Sequence, residues 1–412
     1  VGPPVAIAVV QAAERAARES FGRLVAWLAW KWGDIGAAED ALADALVKAL
    51  ETWPKSGVPD APDSWLLTVA KRQLLQAARH DRVRFDPAVT ALFSEEEAIN
   101  EMPSIPDARL NLMFVCAHPA IDAKVRTPLM LQAVLGLAAA EIAPAMLMSP
   151  ATLAQRLVRA KHKIRDAGLS FETPEAGELP ERVHHVLESI YAAFGLAVDA
   201  VDGAESRITD LRDEALYLCA LVCRLLPASA EASGLMALML FLEARRPAQQ
   251  SPEGAFIPLG AQDTALWERD RMVEADRLLW VAAQARDPGP FQLEAAIQSA
   301  HCQRLFTGTT PWPAIADLYG QINRHFPTLG SQVAGAVAVA EAGNAQAGLA
   351  QLLAIEPEPM RSFQPFWVAR AHVLTLLGQV PEAVAAYGVA IGLCTQERLR
   401  VYLQARQRAL LH

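Results

Sequence analysis

Between Ser149 and Ile164 the chain reads SPATLAQRLVRAKHKI, with Arg156, Arg159, Lys161, His162 and Lys163 and not one acid. Thr152, Arg156, Arg159 and Lys163 recur at three- and four-residue spacing. A helix here would put a hydroxyl and three cations on one face, and Leu153, Leu157, Ala160 and Ile164 on another. Ser149 is a suitable N-cap, and Pro150 suits the first helical position, where its missing N–H has no partner to lose. Cations grip phosphate, while Thr, Gln and Arg side chains reach base edges in a major groove. The pattern fits a DNA-reading helix; from local sequence alone it also fits a solvated basic face. A short supporting helix is expected over residues 138–145, with a turn at 146–148 and Pro144 tolerated in the last helical turn.

Other elements must carry this segment. Phe21, Leu24, Val25 and Leu28 repeat at helical spacing, and a turn is expected at Gly33–Gly36. An acidic amphipathic stretch, AAEDALADALVKALETW, runs from Ala37 to Trp53. A second basic helix, SWLLTVAKRQLLQAARHDR, is expected to be capped by Asp63 or Ser64 and to bury Trp65, Leu66, Val69 and Leu74. Lys71, Arg72, Arg79, Arg82 and Arg84 lie along or just beyond it. Residues 86–106 hold three consecutive glutamates and three prolines, which reads as a linker. Pro174 and Pro180 bracket a second one.

The chain has 412 residues, 52% of them hydrophobic, with few β-branched runs, and an all-α protein of several domains is expected. Its net charge of −9 is unevenly placed. Residues 1–170 hold 19 Lys/Arg and 19 Asp/Glu; residues 171–412 hold 18 and 27. The second part is a poor partner for nucleic acid, and the basic runs of the first are where a polyanion would dock. No apolar run approaches the roughly 20 residues of a membrane span, and VGPPVAIAVVQAAER has no basic leader, so neither membrane nor secretory signal is expected. Five scattered cysteines, without a CxxC spacing, fit a reduced cytoplasmic interior. Cys219 with Cys223, and His301 beside Cys302, read as buried groups on apolar helices rather than as a metal site. No nucleotide loop, HExxH or nucleophile motif occurs, so neither enzyme activity nor a cofactor is expected.

Glycines at 308, 343 and 378 are 35 residues apart. Around the last, Trp367, Ala371, Leu374, Ala383, Tyr387 and Ala390 stand at the offsets of a tetratricopeptide-like helical hairpin, and the two earlier units match more weakly.

The order of these pieces resembles a bacterial RNA polymerase sigma factor of the extracytoplasmic-function group, in the subgroup with a long C-terminal helical extension. DIGAAEDALADALVKALETWP resembles the polymerase-clamp segment of sigma region 2, and PDSWLLTVAKRQLLQAARHDR the segment that melts and reads the −10 element. FVCAHPAI and LAAAEIAPAMLMSPATLAQRLVRAKHKIRDAG resemble region 4, whose helix-turn-helix reads the −35 element. The resemblance implies polymerase contacts at Glu39, Asp40 and Asp44. It implies −10 contacts at Trp65, Lys71, Arg72, Gln73, Gln76 and Arg79, and −35 contacts at Thr152, Gln155, Arg156, Arg159 and Lys163. The chain departs from the family pattern at Ala43, Asp44, Arg72 and Gln76.

The implied layout is a region 2 bundle at 1–85, the acidic linker 86–106, a region 4 domain at 107–170, a helical extension at 171–289 and tetratricopeptide-like repeats at 290–412. The implied partners are core RNA polymerase, promoter DNA and a protein or peptide ligand in the repeat groove, with the extension controlling the rest. Buried Arg156 and Arg159 would mark a closed, inhibited form. The alternative is a repeat-based scaffold whose sigma-like half has lost DNA binding.

Overall fold

A computed structural model describes residues 20–80, 107–146, 148–175, 177–199, 205–356 and 360–411. The expected linker at 86–106, with Arg82 and Arg84, lies outside them. Among the described residues the chain is all helical, apart from three short 3-10 turns and one isolated bridge between Gln250 and Phe256. No helix among them is long and apolar enough to cross a membrane. The chain divides into two compact units, and the boundary falls inside one helix, near residue 218.

The first unit opens with α1 (Phe21–Trp32), α2 (Ile35–Ser56) and α3 (Pro62–His80). Gly33 ends α1 in the left-handed region at φ 72°, a backbone conformation that strains any residue with a Cβ. The turn is shorter than expected, because the Asp34 carboxylate accepts from Ala37 N at 3.0 Å and starts α2 at once. In α3 the expected cap at Asp63 or Ser64 is replaced: the helix already starts at Pro62, and Asp63 pairs with Arg23 of α1. Leu24, Leu28, Ile35, Leu42, Trp53, Leu66 and Leu67 are fully buried between the three helices.

Next come α4 (Arg109–Cys116), α5 (Ala123–Leu135), α6 (Ala139–Ile142) and α7 (Pro150–Asp166). The supporting helix is thus one turn long, not the eight residues expected. Pro144 lies in the turn beyond it, where its missing N–H and its ring interrupt nothing. Helices α8 (Leu179–Asp199) and α9 (Glu205–Leu225) follow. Helix α5 is the hub of this unit, packing on α1, α4, α7 and α8.

The second unit takes the end of α9, then α10 (Ala230–Ala244), α11 (Arg269–Ala283), α12 (Pro290–Cys302) and the single turn α13 (Arg304–Thr307). It continues with α14 (Trp312–His325), α15 (Leu329–Glu341), α16 (Ala345–Ala354), α17 (Gln364–Leu376), α18 (Val380–Leu393) and α19 (Glu397–Ala409). Gly308, Gly343 and Gly378 each turn the chain between helices at positive φ, 73°, 102° and 70°. Successive helices pack as antiparallel-type hairpins, α15 on α16 and α17 on α18, each joined to the next. Ala371, Leu374, Ala383, Tyr387 and Ala390 are buried in the α17–α18 core. An apolar groove of about 480 Å³ runs past Trp312, Tyr319, Val333, Val337, Val368 and Leu399.

Candidate nucleic-acid interface

Helix α7 forms as its sequence directs. Ser149 Oγ accepts from Thr152 N at 3.2 Å, and Pro150 takes the first helical position. Leu153, Leu157, Ala160 and Ile164 are buried against α5 and α6. Thr152, Gln155, Arg159 and Lys163 are exposed and Arg156 is half-buried. The structure therefore gathers all five expected DNA-contacting residues on the outer side of one capped helix. Thr152 Oγ1 is tied to Ser149 Oγ at 2.8 Å, which fixes its rotamer within the cap. Arg156 and Arg159 are not buried, so the burial that would mark a closed, inhibited form is absent.

Lys161 is 7% exposed, the one cation of α7 that is buried, and its Nζ pairs with the Glu39 carboxylate of α2. Arg165 lies 3.8 Å from Asp34 at the start of the same helix. The second Glu39 oxygen is buried without a hydrogen-bond partner. Burial pushes the Glu39 carboxyl above its ordinary range, and the attraction of Lys161 opposes this without outweighing it. Such a pair is a poor source of net stability but is costly to break from one side.

The other two acids expected to contact polymerase are placed differently. Asp40 and Asp44 are exposed, and Val47 and Leu50 stand on the same side of the helix at 57% and 46% exposure. Acid and apolar residues together form a stripe, with Glu39 at its edge.

Helix α3 carries the remaining candidates. Trp65 is half-buried, its ring edge-on to the buried Trp53 with centroids 5.5 Å apart, so it fastens α3 to α2. Lys71 lies over the Trp27 ring at 4.4 Å, which draws it onto α1. Arg72 and Gln76 are exposed and Gln73 is half-buried. Arg79 belongs to the last turn of α3, and its side chain lies outside the described residues. The α3 candidates are thus split between packing and exposed positions, unlike the row on α7.

Residues 17–84, which include α1 to α3, match the family model of sigma-70 region 2. Residues 182–283 match a family of unknown function (DUF6596). An uncharacterized protein of Rhizobium meliloti (strain 1021) is 34% identical over 385 residues, covering 90% of this chain and 89% of its own. The chain belongs to the family of that rhizobial protein. The sigma-70 region 2 match supports a sigma-factor-like role in transcription initiation. That domain implies core RNA polymerase and promoter DNA as partners and indicates a transcription factor rather than an enzyme. No solved structure matches the chain.

Within the region 2 domain, sequence reasoning missed Val47 and Leu50, whose outward position is signalled by their spacing from Asp40 and Asp44. Lys161 was also missed as a packing residue. It stands four residues after Leu157 and three before Ile164, on the apolar side of α7. Among the described residues no group of three or more His, Cys, Asp or Glu could hold a metal. Cys219 is buried and donates to the Ala232 carbonyl at 3.7 Å. His301 is held down to about 4, by burial first and then by Arg245 and Arg304.

Proposed function

We propose that the chain is a sigma factor of the extracytoplasmic-function group. In this reading α2 docks on core RNA polymerase through Asp40, Asp44 and the residues beside them. Helix α3 contacts the −10 element through Arg72, Gln73, Gln76 and Arg79, and α5 to α7 form a helix-turn-helix whose last helix reads the −35 element. The observation that carries the reading is the exposed row Thr152, Gln155, Arg159 and Lys163 on a capped helix, in one compact unit with a region 2 domain. Such a protein works in the cytoplasm, where polymerase and promoters are. We read the hairpins of the second unit as tetratricopeptide-like, with the apolar groove taking a protein or peptide segment, and the extension as a regulator. Supporting a regulatory role, α8 packs on α4 and α5, next to the reading helix.

The test is a titration of core polymerase with the full chain, followed by run-off transcription. No holoenzyme at low salt would sink the reading and favour the scaffold. At single-residue level, Arg159→Ala should weaken binding to a −35 duplex by about 1–3 kcal/mol and relax preference at one base pair. A uniform loss across sequences with a shallower salt slope would make Arg159 a phosphate contact only.

A further inference from the structure

We infer, resting on the reading of the second unit's apolar groove as a peptide site, that its occupant is a short apolar segment carrying one carboxylate, and that the carboxylate seats at His301.

Two arginines stand beside His301 without an acid. Arg245, just past α10, is 4% exposed. Its Nη2 donates to Gln298 Oε1, one turn before His301 on α12, and its Nη1 is buried with no hydrogen-bond partner. Arg304 of α13 lies over the Trp267 ring at 5.2 Å and donates to the carbonyls of Gly260 and Gln262. Among the described residues both guanidiniums thus bond only neutral oxygens. A buried cation without an opposite charge is costly, and an arriving carboxylate offsets that cost. Burial first, and then the same two charges, hold His301 down to about 4. Its ring is therefore neutral near pH 7 and keeps one N–H to donate.

The groove's walls set the rest of the ligand. His301 lines it together with Trp312, whose ring stands edge-on at 5.4 Å, and with Val333, Val337 and Val368. Such walls reward apolar side chains. The volume of about 480 Å³ falls within the roughly 300–1,000 Å³ of pockets that enclose drug-sized ligands, so a few residues fit and a long segment does not. Nearby acids give the groove a polarity. Glu341 is paired with His372 at 2.6 Å, and Asp276 accepts from Ser299 Oγ at 2.7 Å. Glu294 lies two turns before His301 on α12. After burial, it helps push the Tyr319 hydroxyl up to about 12. An anion is thus favoured at His301 and opposed beside Tyr319.

The test dialyses the full chain against two pools of acetylated, amidated pentapeptides with Leu, Val, Ala or Phe at the outer positions. The central residue is Glu in one pool and Gln in the other, and bound members are quantified by mass spectrometry. Glu peptides should bind about tenfold tighter than their Gln twins, the effect of one charge-assisted hydrogen bond. This comparison is made on the wild-type chain and needs no variant. Val337→Trp, which fills the groove, should abolish binding of both pools. His301→Phe keeps a ring against Trp312 but removes the N–H, so it should erase the Glu preference while apolar binding persists. Helical circular dichroism checks that both variants fold. Equal binding of the two pools, lost in Val337→Trp, would overturn the carboxylate and leave the peptide reading standing. Binding of neither pool would sink the peptide reading, and the inference with it. Decanoate, a free acid without a peptide, binding tighter than every Glu peptide would also overturn it and assign the groove to a small organic acid.

Discussion

Arg109→Met should destabilise the first unit by about 3–5 kcal/mol, the cost typical of removing one partner from a buried ion network. Arg109 is 8% exposed at the start of α4. Its Nε and Nη2 donate to the two oxygens of Asp107 at 2.8 and 2.6 Å, and Nη1 pairs with Glu214 of α9. The Tyr217 ring, 5.0 Å from the guanidinium, covers one face and its hydroxyl donates to Asp107 at 3.1 Å. Methionine keeps much of the stem volume but leaves two carboxylates without their cation. Thermal or urea unfolding measures the loss; a midpoint unchanged from wild type would show that solvent already screens the cluster. The extension is thereby fastened to the segment that presents α7, so truncation after Gly168 removes a structural support together with any regulator.

The same cluster sets a pH dependence. Burial pushes Asp107 up, but the hydrogen bonds and charge of Arg109 outweigh it, and the carboxyl sits below its ordinary value. A depressed carboxyl contributes stability above its unfolded value, about 4, and that contribution is lost as pH falls through the lower folded value. Glu214 is shifted upward, by burial first. Its ionisation therefore costs folding free energy as pH rises through its folded value, opposite in sign to Asp107. Below about pH 4 the wild type should lose more stability than Arg109→Met, in which Asp107 has no cation to hold its charge.

The double substitution Val47→Glu, Leu50→Glu should weaken core polymerase binding by about 3 kcal/mol, over a hundredfold in Kd. Both side chains are exposed on α2 beside Asp40 and Asp44. Two outward aliphatic residues rimmed by acid match a patch that is buried when a partner arrives. Loss of an apolar contact at an interface costs about 1 kcal/mol or more where it is a central anchor, and a carboxylate buried in its place adds desolvation. Folding should be unaffected, since neither residue contributes to the core. A Kd within twofold of wild type, measured by anisotropy titration with labelled protein, would remove the stripe from the docking surface.

Much of this was legible in the residues. Ser149, Pro150 and the spacing of Leu153, Leu157, Ala160 and Ile164 determine where α7 starts and which side it buries, because caps and periodicity act within one helix. The same logic foretold Gly378 as a turn between helices, with Ala383 and Tyr387 buried after it. Boundaries were less legible: Asp34 starts α2 earlier than the turn residues suggested, and α6 stops at Ile142.

What the sequence by itself determined is the set of helices, their apolar faces and the row of DNA-type side chains on α7. Tertiary structure alone decided which of the charges are spent inside the molecule. Lys161 and Lys163 are near neighbours of the same chemistry, yet one is buried on Glu39 and the other is exposed. Gly22 looks like any helical glycine until Val134 lies against it. Helical periodicity is set by bonds a few residues apart. The Glu39–Lys161 pair spans 122 residues, and it exists only where the tertiary fold packs α2 against α7.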